Sequence, residues 1–398
     1  MTPTERRSTS ALALIVGLRM LGLFLILPVF SLYGTDLAHA TPILIGLAIG
    51  IYGLTQAVLQ VPMGMASDRV GRRPVIVAGL LVFAAGSVLA AVSDSIYGVI
   101  AGRALQGAGA VSAAVIALVS DLTRESQRTK AMAMVGITVG AAFLVALMAG
   151  PLLAGWVGLS GVFWATALLA LVAVALLFTV VPAPPEGLGR GQAQRLAPVL
   201  RDPDLLRLDF GIFALHLGIT ATFVALPQVL EQTLGVDRAD HWQVYVPVLL
   251  ASVVAMVPVI AVGERRRVMH RVLGFVVAAL AVSHLLLAGA GDATVVLLVG
   301  MWLYFAAFNI LEASLPSLIS RFASPALRGA ALGVYSTSQF LGAFLGGVLG
   351  GALYGAYGAT GVFLFCAAVA GAWFLFTLGL RAPQPQGDPA AAPASDAG

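Results

Sequence analysis

Three scarcities frame this sequence: it has one cysteine, one lysine and few charges of either sign. The single thiol, Cys366, lies in a late apolar stretch, so no disulfide can form within the chain and no thiolate metal site can be built. The five histidines show none of the spacings that hold a metal or a redox centre. With Lys130 as the only lysine, there is no G-x-x-x-x-G-K-[ST] stretch, which argues against an ATP-driven pump. The strict apolar/polar alternation over about ten residues that a membrane β-barrel needs is missing as well. Charged residues make up 10% of the chain against 60% hydrophobic, with a mean hydropathy of +0.98. So few charges cannot cover the apolar surface of a soluble protein of this length, and lipid is the expected solvent.

What is abundant is long apolar runs. Twelve spans can be drawn, at 11–33, 42–66, 74–93, 96–120, 130–155, 161–181, 208–230, 242–263, 272–290, 293–320, 329–354 and 360–380. Each suffices for a hydrocarbon core about 30 Å thick, which takes about 20 helical residues. The expected fold class is an all-α membrane protein of twelve transmembrane helices in two pseudo-symmetric six-helix bundles. The expected division is 1–181 for the first bundle, 182–207 for a Pro/Gly/Arg-rich linker, 208–381 for the second bundle and 382–398 for a disordered tail. A weak repeat supports the two halves. Val61-Pro62 precedes Asp68-Arg69 by seven residues, as Val257-Pro258 precedes Glu264-Arg265, and Gly161-Val162-Phe163 returns as Gly361-Val362-Phe363.

Charge distribution sets the expected orientation. If the spans alternate, 19 of the 22 Lys and Arg share one side, Arg238 alone lies on the other, and Arg19 and Arg103 fall within spans. By the positive-inside rule both termini are cytoplasmic and the protein is a multi-pass component of the cell membrane, in a bacterium the inner membrane. The same distribution argues against a nucleic-acid partner. Arg6 and Arg7 before an apolar run, with Ala38-His39-Ala40 after it, imitate a signal peptide, but the run from Ala11 to Tyr33 is too long for a signal core. Gly158-Leu159-Ser160-Gly161 imitates a serine-hydrolase element, yet it lies in a short loop, and no enzyme is expected.

The most informative stretch is Gly64 to Pro74, GMASDRVGRRP, a charged loop between the second and third spans. An Asp at one helix end can be held by the positive N-terminus of another, for about 0.3–1 kcal/mol when exposed. Arg69, Arg72 and Arg73 can tie that end to nearby carboxylates; the plain alternative is a solvated loop that only sets topology. The spacing G-x-x-x-D-R-x-G-R-R-P, the R-x-x-Q-G-x-G of Arg103 to Gly109, and the Gly150-Pro151 segment of span 5 resemble the signatures of the major facilitator superfamily. The last is similar to the antiporter motif of its drug:proton antiporter branch, with Ala146 and Ala154 in place of glycines. The resemblance covers residues 5–380 and points to bacterial inner-membrane transporters. Some of these carry a soluble ferredoxin-like domain after the twelfth helix. This sequence stops about 18 residues past that point, so no regulation through such a domain is expected.

The resemblance implies a gating loop of Gly64, Asp68, Arg69, Gly71, Arg72, Arg73 and Asp121. Asp68 would face the N-terminus of span 11 in the outward-facing state, and Asp121 would join Arg69 or Arg72. It also implies that spans 1, 4, 7 and 10 line a central cavity. There, Trp302, Phe305, Asn309 and Glu312 recur at spacings of 3, 4 and 3 on one helix face, opposite His216, Thr220 and Phe223. Ionisable groups at mid-membrane are functional candidates by default, at about 2.5–3.5 kcal/mol each on insertion scales. Burial disfavours a charged carboxylate and a nearby imidazolium favours it, so Glu312 and His216 could exchange a proton as access alternates. The alternative is a fixed Glu–His bond joining spans 7 and 10. Glu312 is expected to be the only acid deep in a span. Arg103 is divided between proton coupling and a structural role on backbone carbonyls. Arg19 is placed near the cytoplasmic third, able to snorkel, and His284 is expected to be a packing histidine.

The expected substrate pocket is Phe24, Gln56, Phe223, Trp302, Phe305, Asn309 and Gln339, aromatic and weakly polar, suited to lipophilic or drug-like compounds. The expected activity is proton-coupled export by alternating access. A metabolite:proton symporter and a non-transporting sensor on the same fold are the alternatives. No cofactor is expected beyond the proton as coupling ion. The expected partners are a small-molecule substrate and the lipid bilayer, and the working unit is expected to be a monomer.

Overall fold

A computed structural model describes residues 1–182, 196–266, 268–324 and 327–380. Most of the expected linker, at 183–195, and the expected disordered tail lie outside the described residues. Among the described residues the chain is helical, with no strand beyond a single bridge between Ala38 and Ser95. The elements are α1 (Pro3–Phe24), α2 (Leu27–Tyr33), α3 (Pro42–Val70), α4 (Arg72–Ala91), α5 (Ile96–Ala108), α6 (Ser112–Asp121), α7 (Arg128–Thr179), α8 (Leu196–Val199), α9 (Pro203–Leu234), α10 (Trp242–Arg265), α11 (Met269–Gly289), α12 (Thr294–Phe322) and α13 (Arg328–Thr377).

Local chemistry sets several helix starts. Thr2, Thr41 and Asp202 each precede a proline, and each caps its helix by accepting from a backbone N–H of the first turn. The cap oxygen satisfies an orphan donor, and proline at the first position loses no bond. The Asp202 cap starts α9 at Pro203, five residues before the expected span at 208.

Two expected spans are interrupted. Span 1 breaks between Phe24 and Leu27 ahead of Pro28, and span 4 breaks at Gly109 to Val111. A Cβ on Gly107 or Gly109 would collide with backbone atoms of α3 or α4, so the glycines of the R-x-x-Q-G-x-G motif let α5 lie directly on both.

α7 and α13 have 52 and 50 residues, about 78 and 75 Å at 1.5 Å per residue, more than twice a 30 Å core. Each is broken at a glycine, Gly158 (φ 67, ψ −177) and Gly358 (φ 64, ψ −163), in a conformation open to glycine and not to L side chains. The two breaks are alike in geometry and 200 positions apart. Neighbours of α1 and α2 show that the chain reverses at the first break. Thr138 and Gly150 pass Gly17 and Leu25 on the way out, and Phe163 and Thr166 pass Phe30 and Gly22 on the way back. Ten described segments are long and apolar enough to cross a membrane, and two of them are broken in this way, which makes twelve crossings.

α1–α7 pack around three cores and α9–α13 around a fourth. The two bundles meet unevenly. At the end away from the arginine-rich loops, Gly46 and Gly50 of α3 lie against Gly347, Gly351 and Phe344 of α13, backbone on backbone. Gln228 Nε2 donates to the Ser31 carbonyl at 2.8 Å, and Arg238 pairs with Asp36 at 3.2 Å while its guanidinium covers the Tyr33 ring. Among the described residues these two are the only hydrogen-bonded pairs between the bundles. Halfway along, Tyr52 meets Phe340, and Phe143 meets Phe223 and Phe308. The core of the first bundle nearest the arginine-rich end contains no residue of the second. The bundles are therefore sealed at the far end and parted at the arginine-rich end.

Candidate functional site

The parted end leads to the ionisable groups of the second bundle. His216 of α9 and Glu312 of α12 approach to 3.9 Å between Nδ1 and Oε2, an ion-pair distance beyond hydrogen bonding. The Gln339 amide of α13 donates to His216 Nε2 at 2.8 Å. That nitrogen must then carry a lone pair, so the neutral ring holds its proton on Nδ1, the atom facing Glu312. The Glu312 side chain is 38% exposed, whereas His216 is more enclosed.

Asp209 is a second buried acid, which the expectation for Glu312 did not count. It lies in α9, 4% exposed, and neither carboxylate oxygen has a hydrogen-bond partner. Its signal in the sequence was its place two residues inside the expected seventh span. It stands seven residues before His216, two turns less about 20°, and so on the same face of α9.

The expected pocket residues divide. Phe24 is half-buried, edge-on to Phe143 at 5.2 Å. Phe223 and Phe305 are fully buried in the aromatic cluster with Tyr245 and Tyr304, below the cleft surface. Asn309 donates to Ser252 of α10 at 2.9 Å, tying two helices together. Trp302 is 38% exposed, whereas Phe305, three residues on, is fully buried. Gln56 is fully buried and bonded to Arg19 and Gln60, so it is not a free lining group. Phe143 and Phe308, which bridge the bundles, stood in apolar runs with nothing to single them out.

Arg19 departs from the expectation. It does not snorkel: it is 2% exposed and donates to Ser112 Oγ, Tyr52 Oη, Gln56 Oε1 and the Gly109 carbonyl, the last exposed by the break between α5 and α6. Arg103 lies in the first bundle, donating to the carbonyls of Ala48 and Ile49 and to Gln106, with Tyr52 against its guanidinium. It does not meet Glu312 or His216. His284 packs between Thr222, the Leu280 carbonyl and the Tyr304 ring.

In the loop at Gly64 to Pro74, Arg72 bonds Asp68, Ser67 (2.7 Å) and Asp121 (3.2 Å). Asp121 thus joins Arg72 and not Arg69. Arg73 donates to the carbonyls of Leu177 and Val181 at the end of α7. Gly71 turns the chain at φ 106, closed to L side chains, and a Cβ on Gly64 would touch Ala113 of α6. With this end parted, Asp68 engages its own loop and not the N-terminus of α13.

Twelve crossings in two bundles, sealed at one end and parted at the other, are the architecture of a multi-pass membrane transporter. The chain belongs to the Major Facilitator Superfamily, whose profile matches residues 12–313 and 208–397. It is 48% identical to the inner membrane transport protein YajR of Escherichia coli over 390 residues, 96% of this chain and 85% of that one. It is 32% identical to the class G tetracycline resistance protein of Vibrio anguillarum over 248 residues, 60% of this chain and 59% of that one. Among solved structures the nucleoside transporter NupG has the same fold, with a TM-score of 0.76 at 14% identity, covering 94% of this chain and 99% of that one.

Proposed function

We propose that this protein exports small lipophilic or drug-like compounds in exchange for protons. The two bundles rock about the seam so that a site at mid-height opens to each side in turn. On this reading the arginine-rich end and both termini are cytoplasmic, and the conformation described above is the inward-open one. The observation that carries the proposal is the Glu312–His216 pair, poised at 3.9 Å on the edge of the open cleft. The carboxylate reaches water from one side, and its partner already presents Nδ1–H. Closing the cleft would dry the pair and change which partner holds the proton. The aromatic surround of Phe24, Phe143 and Phe308 suits an apolar substrate body. The similarity to a tetracycline resistance protein supports export of a drug-like compound.

Everted membrane vesicles energised to an acid interior test this. A panel of lipophilic cations and neutral drugs is added while a dye follows the pH gradient, with wild type and Glu312→Gln side by side. Substrate-triggered proton release in wild type that is lost in the variant is expected. Proton movement in the opposite direction would indicate symport. Release that survives in the variant would make the pair a structural tie between α9 and α12.

A further inference from the structure

We propose that a cavity in the sealed end, shared between the two bundles, binds small neutral hydroxylated molecules and holds the protein in the conformation described here. The site is separate from the Glu312–His216 pair and needs no proton exchange. Only its holding effect rests on the rocking of the bundles proposed above.

The cavity has a volume of about 100 Å³. Ser31, Pro42 and Ile45 line it from the first bundle, and Val224, Gln228 and Tyr354 from the second. Ser31, Ile45 and Val224 are buried and form its floor. Thr35, Thr41 and Pro42 are exposed and form its rim, so the mouth opens at the far end, away from the arginine-rich loops. Two parts of the seal border it. One is the hydrogen bond from Gln228 Nε2 to the Ser31 carbonyl at 2.8 Å. The other is the close pass of α13 over Pro42, where a Cβ on Gly351 would collide with the Pro42 carbonyl and one on Gly355 would stand 3.3 Å from the Pro42 ring. The cavity therefore exists only while the bundles meet at this end.

The chemistry of the lining selects the ligand. Ser31 is 1% exposed and its Oγ has no hydrogen-bond partner. A helical serine can donate to the carbonyl four residues back, here that of Leu27, and this bond is not made. A buried hydroxyl left unpartnered is costly, so a ligand that bonds it gains what the protein does not supply. The Thr35 and Thr41 hydroxyls are already engaged, with the Leu32 carbonyl and the Leu44 N–H. Much of the remaining wall is apolar, from Ala40, Pro42, Ile45 and Val224, and no charged side chain lines the cavity. This suits a neutral molecule with a short apolar body and one hydroxyl, such as a small alcohol. An apolar cavity of about 150 Å³ takes benzene, so a smaller body fits here, and a longer chain would leave through the mouth.

A ligand held by both bundles binds the far-end-sealed state and not the far-end-open one, so it shifts their equilibrium by mass action. At about ten times its dissociation constant the ratio of sealed to open molecules rises about elevenfold. A molecule bound there opposes the opening of this end and slows turnover without touching the mid-height site.

Fluorine NMR of trifluoroethanol, titrated into the full-length protein in lipid nanodiscs with empty nanodiscs as the baseline, tests the site. Wild type is expected to bind saturably at about millimolar concentration, in keeping with a probe of about six non-hydrogen atoms. Ser31→Ala should weaken binding about two- to tenfold, the loss of one neutral hydrogen bond. Ala40→Phe, which puts a ring into the cavity, should abolish it. Pulsed dipolar distances between labels on Trp156→Cys and Val295→Cys, exposed positions at the far ends of the two bundles, read the holding effect. They are measured in Gly46→Val, where a Cβ meets the backbone of Gly347 and Gly351 and forces this end apart. Trifluoroethanol at about ten times its dissociation constant should raise the shorter-distance population about elevenfold, and should not do so once Ala40→Phe is added. The proposal is overturned if binding does not saturate above the empty nanodiscs, if Ala40→Phe or Ser31→Ala binds as wild type does, or if the distances in Gly46→Val stay unchanged at saturation. If Gly46→Val does not part the bundles, the NMR titration alone decides the site. That titration reads the cavity whether or not the protein exchanges protons, so its failure and the failure of the Glu312–His216 reading are separate results.

Discussion

Replacing Gly46 with valine should force the sealed end apart. An ideal Cβ on Gly46 overlaps the carbonyl oxygen of Gly347 and stands 2.8 Å from Gly351 Cα and 2.9 Å from its nitrogen. All three are backbone atoms, so no rotamer change can make room, and α3 must move off α13. Overpacking of this kind costs about 1–3 kcal/mol. The cost falls only on the state in which these helices touch. At about 2 kcal/mol the ratio of far-end-open to far-end-sealed molecules rises about thirtyfold. The single native cysteine is buried, so spin labels can be placed on Tyr97→Cys and Tyr357→Cys, exposed positions near the far ends of the two bundles. Pulsed dipolar distances between them should shift from one compact population toward a longer one. Gly136→Val is the control, because nothing lies within 4 Å of a Cβ there. An unchanged distance distribution in Gly46→Val, or the same lengthening in Gly136→Val, would refute the idea that the glycine contact holds this end shut.

The polar latch should matter less. Arg238→Ala removes an exposed ion pair worth about 0–1 kcal/mol, so its distance shift should be under about fivefold in population and should vanish in high salt. Arg103→Ala should destabilise the first bundle by about 2–5 kcal/mol, read as a lower Tm, while any transport that remains stays coupled to protons. Arg103→Lys should not rescue it, because an ammonium cannot reach two carbonyls and Gln106 in one plane. His241, in the far-end loop before α10, is held below the ordinary histidine value because burial disfavours its charged form. A lowered folded value means the stability is fully present above about pH 6.5 and declines as pH falls below it. Tm measured from about pH 7.5 down to about pH 5 should fall less steeply in His241→Gln, which keeps a donor toward the Val236 carbonyl.

The fold was largely legible because its determinants are local. Apolar length marks a membrane crossing, whereas the Asp202-Pro203 helix start and the reversal at Gly358 went unread in the sequence. Gly71 announced its turn. The site was legible in part. The spacing of Phe305, Asn309 and Glu312 placed them on one helix, and His216 on another, but periodicity cannot tell how a helix is rotated against its neighbours. Trp302 belongs to the same stripe and is 38% exposed while Phe305 is fully buried. Gln56 was expected as a pocket group and is consumed by Arg19.

Residue chemistry by itself determined the solvent of this protein, the number of crossings, the two-bundle organisation and the charged loop that marks the family, since each depends on composition or on neighbours a few positions apart. Only the tertiary structure decided which buried charges meet. Arg19 finds Gly109 across ninety positions because α5 breaks there, Arg103 is tied to α3, and Glu312 is left beside His216. It also decided which end is shut, because backbone contact between Gly46 and Gly347 depends on how two separately folded bundles lean on each other. Hydrophobic burial is non-directional and permits more than one such arrangement.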